Sequence, residues 1–219
     1  MSTAILTPSL GRPQYFRSVV ENIERATPEP HTQIWCIGEP GYHLDYPPHS
    51  LMVLDDTTDP DKRYVARMNK LALAARMVVG VEFIFFGQDD VIYHDGWLSA
   101  AMGWMVEGVD VVLVNDDRKE KGTQALMRSS YAGLAVFDDP TAVFHPGYVH
   151  NFADDEQHET ARQRGVLAMA PDSHVEHLNP LLRAGDRQYD DTYRLAQGKW
   201  SHDAQLFGQR MARMKDVLG

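Results

Sequence analysis

The run Glu82-Phe83-Ile84-Phe85-Phe86 constrains the fold more than any other stretch of this chain. It is β-prone and apolar without alternation, so a strand built from it needs cover on both faces. A sheet with one face in water is thereby disfavoured, and helices are expected above and below. The strand empties through Gly87 into Gln88-Asp89-Asp90. Ligands of open α/β sheets bind just beyond the carboxyl ends of such strands. The chain therefore delivers two carboxylates to the place where a site is expected. Adjacent carboxylates repel unless something positive lies near them, and a divalent metal ion is the usual solution.

The remaining pattern agrees with a covered sheet. Short apolar strands are expected over residues 4–7, 33–37, 51–54 and 109–114, with helices over 14–26, 64–79 and 97–106. Phe16, Val19, Val20 and Ile23 fall at helical spacing in the first helix, and Thr27-Pro28-Glu29-Pro30 stops it. The order β-α-β-β-α-β-α-β predicts an α/β/α sandwich of three layers with a mostly parallel central sheet. Beyond Asn115 the pattern loosens. Strands are expected over 132–137 and 166–169, a helix over 155–164, and one or two amphipathic helices over 186–218. Residues 1–183 read as one domain and 184–219 as a C-terminal helical extension packed on it.

The 219 residues suffice for one sizeable domain. A formal net charge of -10 disfavours non-specific binding to nucleic acid or anionic membranes. It leaves room for a nucleotide held by local cations. No apolar run is long enough for a membrane span. The start, Met1-Ser2-Thr3-Ala4-Ile5-Leu6, lacks a basic leader, so no signal peptide is expected. The single cysteine, Cys36, lies in an apolar segment and reads as a small buried residue. These features together suggest a cytoplasmic protein.

There is no Gly-x-Gly-x-x-Gly after the first strand, no P-loop, no His-Glu-x-x-His and no Gly-x-Ser-x-Gly. Four other features stand in order. They are Thr7-Pro8-Ser9-Leu10-Gly11-Arg12-Pro13 after the first strand, Gln88-Asp89-Asp90 after the fourth, Asp154-Asp155 opening a later helix, and His177 after the next strand. Over residues 3 to 180 this resembles a GT-A-fold glycosyltransferase of the broad family-two type, including small bacterial and phage versions.

The resemblance implies a role for each motif. Thr7, Pro8, Ser9 and Arg12 would contact the nucleobase and ribose of a nucleotide-sugar. The end of the second strand offers Glu39 where an acidic pair is usual, and Asp56 after the third strand could serve the same purpose. Arg67 and Lys70, three apart on one helix, can share a face near the phosphates, with Arg63 a further candidate. The Asp-x-Asp position reads Gln88-Asp89-Asp90, so its first acid is an amide that offers a carbonyl oxygen but no charge. Asp90 and His177 would ligate Mn²⁺ or Mg²⁺, which oxygen ligands with one imidazole suit. His174 and His177 are three apart on a strand and should face opposite sides. Asp155, with Asp154 next to it, would be the general base of an inverting enzyme. Residues 118–122 and the Gly133 region fall where acceptor-binding segments occur. Trp97, Trp104 and Trp200 read as packing residues.

The expected activity is metal-dependent transfer of a sugar from a nucleotide-diphospho-sugar donor to a glycan, protein or small-molecule acceptor, with inversion slightly favoured. Two alternatives stay open. One is a catalytically weak sugar-nucleotide or glycan-binding module, kept alive by Gln88. The other is a nucleotidyltransferase, whose Gly-rich basic first loop is poorly matched by Leu10-Gly11-Arg12-Pro13.

Overall fold

The computed structural model describes residues 2–42, 51–59, 63–117, 124–179 and 189–219. Its strands are β1 (Ser2–Ser9), β2 (His31–Ile37), β3 (Leu51–Asp55), β4 (Val81–Phe86), β5 (Val91–Tyr93), β6 (Val111–Asn115), β7 (Ala125–Arg128) and β8 (Leu167–His177). Its α-helices are α1 (Pro13–Ala26), α2 (Tyr64–Met77), α3 (Trp97–Gly103), α4 (Ala153–Gln163) and α5 (Asp191–Leu218). The strands form one eight-stranded sheet in the order β3-β2-β1-β4-β7-β6-β8-β5. It is parallel from β3 through β4 and mixed beyond, because β7 runs antiparallel to both β4 and β6.

The unpatterned apolar strands are covered on both faces, as their composition requires. Side chains alternate across a strand, so each strand supplies two cores. Ala4, Leu6, Ile34, Cys36, Ile84, Phe86, Val111 and Leu113 face Val65, Met68, Leu71 and Ala75 of α2 and Ala161 of α4. Ile5, Trp35, Phe83, Phe85, Val112 and Val114 face Phe16, Val20 and Ile23 of α1 and Trp97, Leu98 and Ala101 of α3. Each fully buried side chain of this size contributes about 1.5–3 kcal/mol. Cys36 is fully buried, as its surroundings in the sequence imply. Trp97 packs in the second core, while Trp104 and Trp200 remain exposed.

Two elements depart from the sequence reading, and the C-terminal region resolves an open alternative. The strand expected over 132–137 is absent: Ser129–Leu134 form a 3₁₀ helix, followed by buried Ala135, Val136 and Phe137. An apolar run records burial, which a packed turn satisfies as well as a strand. The strand in this region is β7 instead, four residues hydrogen-bonded on both sides between β4 and β6. The strand expected over 166–169 extends to His177. It pairs parallel with β6, breaks register after Ala170, and ends antiparallel to β5. The C-terminal region is a single helix of 28 residues, and the expected boundary at 183/184 lies outside the described residues. Among the described residues no helix is long and apolar enough to cross a membrane.

Candidate active site

The carboxyl ends of β1 and β4 lie side by side, and Gly87 N donates to Leu6 O at 2.9 Å across them. A Cβ on Gly87 would sit 2.5 Å from the Tyr93 hydroxyl and 3.0 Å from Leu6 O, so only glycine allows the approach. After β1 the chain turns at Gly11 with φ of +73° and enters α1 through Pro13 at its first helical position. That turn swings Arg12 back over the strand ends.

Arg12 supplies the positive charge between the two acids. Its Nη1 donates to Asp89 Oδ1 at 2.7 Å and lies 3.3 Å from Asp90 Oδ2. Its Nε donates to Asp190 Oδ2 at 2.8 Å, and its guanidinium lies 4.4 Å above the Tyr193 ring. Ser9 Oγ donates to Asp89 Oδ2 at 2.5 Å and accepts from the Tyr42 hydroxyl at 2.7 Å. Asp89 is thus tied to Ser9 at the end of β1 and shares Arg12 with Asp90. Burial, against the pull of Arg12, raises its pKa. Burial would also raise that of Asp90, but His177, Arg12 and the Tyr193 hydroxyl outweigh it and hold Asp90 ionised.

His177 reaches this corner through the β5–β8 ribbon. Val91 is paired with His177, and Leu178 N donates to Asp90 O at 2.8 Å. The His177 Nε2 lies 3.5 Å from Asp90 Oδ1, which is buried without a hydrogen bond. Two ligands at right angles on one octahedral ion stand about 3 Å apart. Asp90 Oδ1 and His177 Nε2 therefore fit as a pair of ligands to Mn²⁺ or Mg²⁺. Among the described residues no group of three or more His, Cys, Asp or Glu side chains is placed to hold an ion. His174 points elsewhere: its ring stacks on His94 at 4.2 Å and its Nε2 lies 3.3 Å from Asp117.

A cavity of about 300 Å³ opens beside this corner. Pro8, Ser9, Arg12, Arg67, Gln88, Asp89 and Asp90 line it, all singled out from sequence. Arg67 is buried, its Nε donating to Asp56 Oδ2 at 3.0 Å while its Nη2 has no partner. Lys70 holds the other Asp56 oxygen at 2.6 Å and also pairs with Asp59. Asp56 and Lys70 thus support Arg67 from beneath and do not line the cavity. Thr7 is buried within β1, and Glu39 is half-buried after β2; neither lines the cavity. The Gln88 amide turns to the Tyr64 hydroxyl.

Asp154 and Asp155 are half-buried in the first turn of α4, just after Phe152 with φ of 64°. Neither lines the cavity, but the charge of Asp154 acts on the Tyr64 hydroxyl in its wall. Gly133 lies in the 3₁₀ helix away from the cavity, and residues 118–122 lie outside the described residues.

Several lining residues carried no signal in the sequence. Tyr64 and His150 form one wall, the His150 ring 5.0 Å from that of Tyr64, together with Arg63, which the sequence did single out. Burial pushes the His150 pKa down to about 4. Thr192, Tyr193, Leu195, Ala196 and Lys199 of α5 form another wall. Thr192 Oγ1 donates to Leu10 O at 2.8 Å, and the Tyr193 hydroxyl donates to Asp90 Oδ2 at 2.7 Å. Asp190-Asp191-Thr192 is legible as a helix start, and Asp190 does cap Tyr193 N. That this start would lie over Asp90 is not.

No family model and no curated protein matches this chain. Solved structures do. A mannosyltransferase from Pyrobaculum calidifontis, in complex with GDP-Man and Mn²⁺, superposes with a TM-score of 0.58 at 15% identity over 81% of this chain, which spans 57% of that one. Glucosyl-3-phosphoglycerate synthase from Mycobacterium tuberculosis, with Mn²⁺, UDP and glucosyl-3-phosphoglycerate, gives 0.56 at 10% identity over 99% of this chain and 80% of that one. A Drosophila galactosyltransferase mutant, with manganese, UDP-Gal and xylobiose, gives 0.54 at 10% identity over 89% and 78%. At these identities the likeness is one of architecture, and the mixed sheet with its covering helices is the GT-A fold.

Proposed function

We propose that the protein is a metal-dependent glycosyltransferase that moves a sugar from a nucleotide-diphospho-sugar to an acceptor hydroxyl. The observation that carries this reading is the buried Asp90–His177 pair, of which Asp90 lines a cavity that Arg12, Arg63, Arg67 and Lys199 also line while His177 stands just behind it. With Asp89 and Asp90 already countered by Arg12, the further cations Arg63, Arg67 and Lys199 in the lining suit a ligand that brings negative charge of its own. In this reading Pro8 and Ser9 flank the nucleoside, with Thr7 and Glu39 close behind. Arg67 offers its unpartnered Nη2 to an oxygen of the nucleotide. Asp56 and Lys70 hold Arg67 in place. Asp90 and His177 bind Mn²⁺ or Mg²⁺, which when bound neutralises charge on the leaving diphosphate.

The acceptor oxygen attacks the anomeric carbon as the bond from that carbon to the diphosphate oxygen breaks. The nucleoside diphosphate departs with the bonding pair. Asp155, assisted by Asp154, takes the proton from the acceptor hydroxyl, and a single displacement of this kind, on the face opposite the leaving diphosphate, inverts the anomeric carbon.

The test is release of nucleoside diphosphate from a panel of UDP- and GDP-sugars with Mn²⁺, alone and with glycan acceptors. Turnover is expected with at least one donor, and Asp90→Ala and His177→Ala should each abolish metal-dependent donor binding in calorimetry. Unchanged Mn²⁺ and donor affinity in both variants would overturn the assignment. Binding without turnover across the panel would instead favour a sugar-nucleotide-binding module.

A further inference from the structure

We propose that Tyr193, in the first turn of α5, is a positioning residue for the metal corner, one that makes Asp90 a one-oxygen ligand. The inference rests on the reading of Asp90 and His177 as metal ligands. Asp90 has two oxygens in different surroundings. The Tyr193 hydroxyl donates to Oδ2 at 2.7 Å, and Arg12 Nη1 lies 3.3 Å from the same oxygen. Oδ1 has no hydrogen bond and faces His177 Nε2. A carboxylate with one oxygen occupied by donors presents only the other to a cation.

Tyr193 is itself fixed for this task. Its backbone N–H is capped by Asp190 at 3.2 Å, and its ring lies under the Arg12 guanidinium and beside the Tyr189 ring. The next residue toward the helix start, Thr192, ties the same turn to Leu10. The hydroxyl is therefore anchored by α5 to the turn after β1 independently of any ion. With two ligands paired here among the described residues, the orientation of each one weighs heavily on affinity. Mn²⁺ and Mg²⁺ demand compact octahedral shells, whereas the larger Ca²⁺ accepts a two-oxygen carboxylate. A one-oxygen Asp90 accordingly favours the smaller ions.

The test uses the full chain with Mn²⁺ alone, free Mn²⁺ being followed by electron paramagnetic resonance, and Ca²⁺ as competitor. Tyr193→Phe removes the hydroxyl and keeps the ring, and Tyr193→Met gives a second variant without it. Circular dichroism establishes that each is folded. Loss of an outer-shell partner of this kind weakens metal binding roughly tenfold. Mn²⁺ affinity should fall by that factor while Ca²⁺ affinity holds or rises, because Oδ2, left with only the longer 3.3 Å contact to Arg12, can turn to join Oδ1 on a larger ion. A merely structural role would lower both affinities together. An unchanged Mn²⁺-to-Ca²⁺ preference in the folded variants overturns the inference. Asp90→Ala separates the two levels: if it loses Mn²⁺ while the Tyr193 variants keep wild-type preference, only the role of Tyr193 falls. If Asp90→Ala binds Mn²⁺ as wild type does, the metal site falls and this inference with it.

Discussion

Arg67 owes its place in the cavity to a side chain that is missing. A Cβ on Gly38 would lie 2.3 Å from Arg67 Nη2 and 2.5 Å from its Cζ. Gly38→Ala should therefore expel the guanidinium from its seat against β2 and β3 while leaving the strands paired. If Arg67 holds the nucleotide, the expected result is roughly tenfold weaker binding of the preferred nucleoside diphosphate, the worth of one hydrogen bond from a charged group. Isothermal calorimetry checks this, and unchanged affinity would detach Arg67 from the ligand. Arg67 and Lys70 were legible as basic residues three apart on a helix. Their division of labour was not. Arg67 is buried in the cavity wall and Lys70 braces Asp56, because the sheet lies nearer one side of α2 than the other. The same holds for Arg12. Its position after the first strand was legible, but its role as counter-ion to Asp89 and Asp90 depends on a turn that brings residues 77 apart into contact.

Among the elements, α5 is the C-terminal helix that the sequence led one to expect, but its part in the site was not legible. Besides bringing Tyr193 to Asp90, it carries Asp203, whose buried carboxylate accepts from the backbone N–H of Val149, His150 and Asn151 at 3.1, 3.0 and 2.8 Å. These bonds hold the segment that bears His150 in the cavity wall and leads into Asp154 and Asp155. Asp203→Ala leaves those N–H groups without their acceptor. It should lower stability by about 2–4 kcal/mol in urea unfolding, as expected for removal of a buried charged acceptor shared by several donors. Helix periodicity marked α5 as amphipathic, but a polar residue on its inner face carries no local sign of what it will accept. The β8 strand shows the same limit. Its apolar start at 166–169 was legible, and its change of partner from β6 to β5, which delivers His177, was not.

For the whole molecule, stability should fall in mild acid through histidines buried in neutral form. Burial holds the His158 pKa down to about 3 and that of His150 to about 4. Unfolded, each titrates near the ordinary value of about 6.5. Between these limits the unfolded chain binds protons that the folded chain refuses, so stability is fully present above about pH 6.5 and declines as pH falls. At pH 5 the loss from His158 alone is about 2 kcal/mol. His158→Leu should flatten the dependence of the urea midpoint on pH between 7 and 5, and an unaltered slope would refute the assignment. The sequence by itself determined that the chain is a covered α/β sheet and that Asp89 and Asp90 stand at a strand's carboxyl end. Those properties follow from local periodicity and from which residues tolerate burial. Only the tertiary structure decided that Arg12 neutralises the pair, that His177 and Tyr193 converge on opposite oxygens of Asp90, and that α5 forms a wall of the cavity. Each of these is a contact between residues far apart in the chain, set by strand register and helix docking, which single-residue chemistry does not encode.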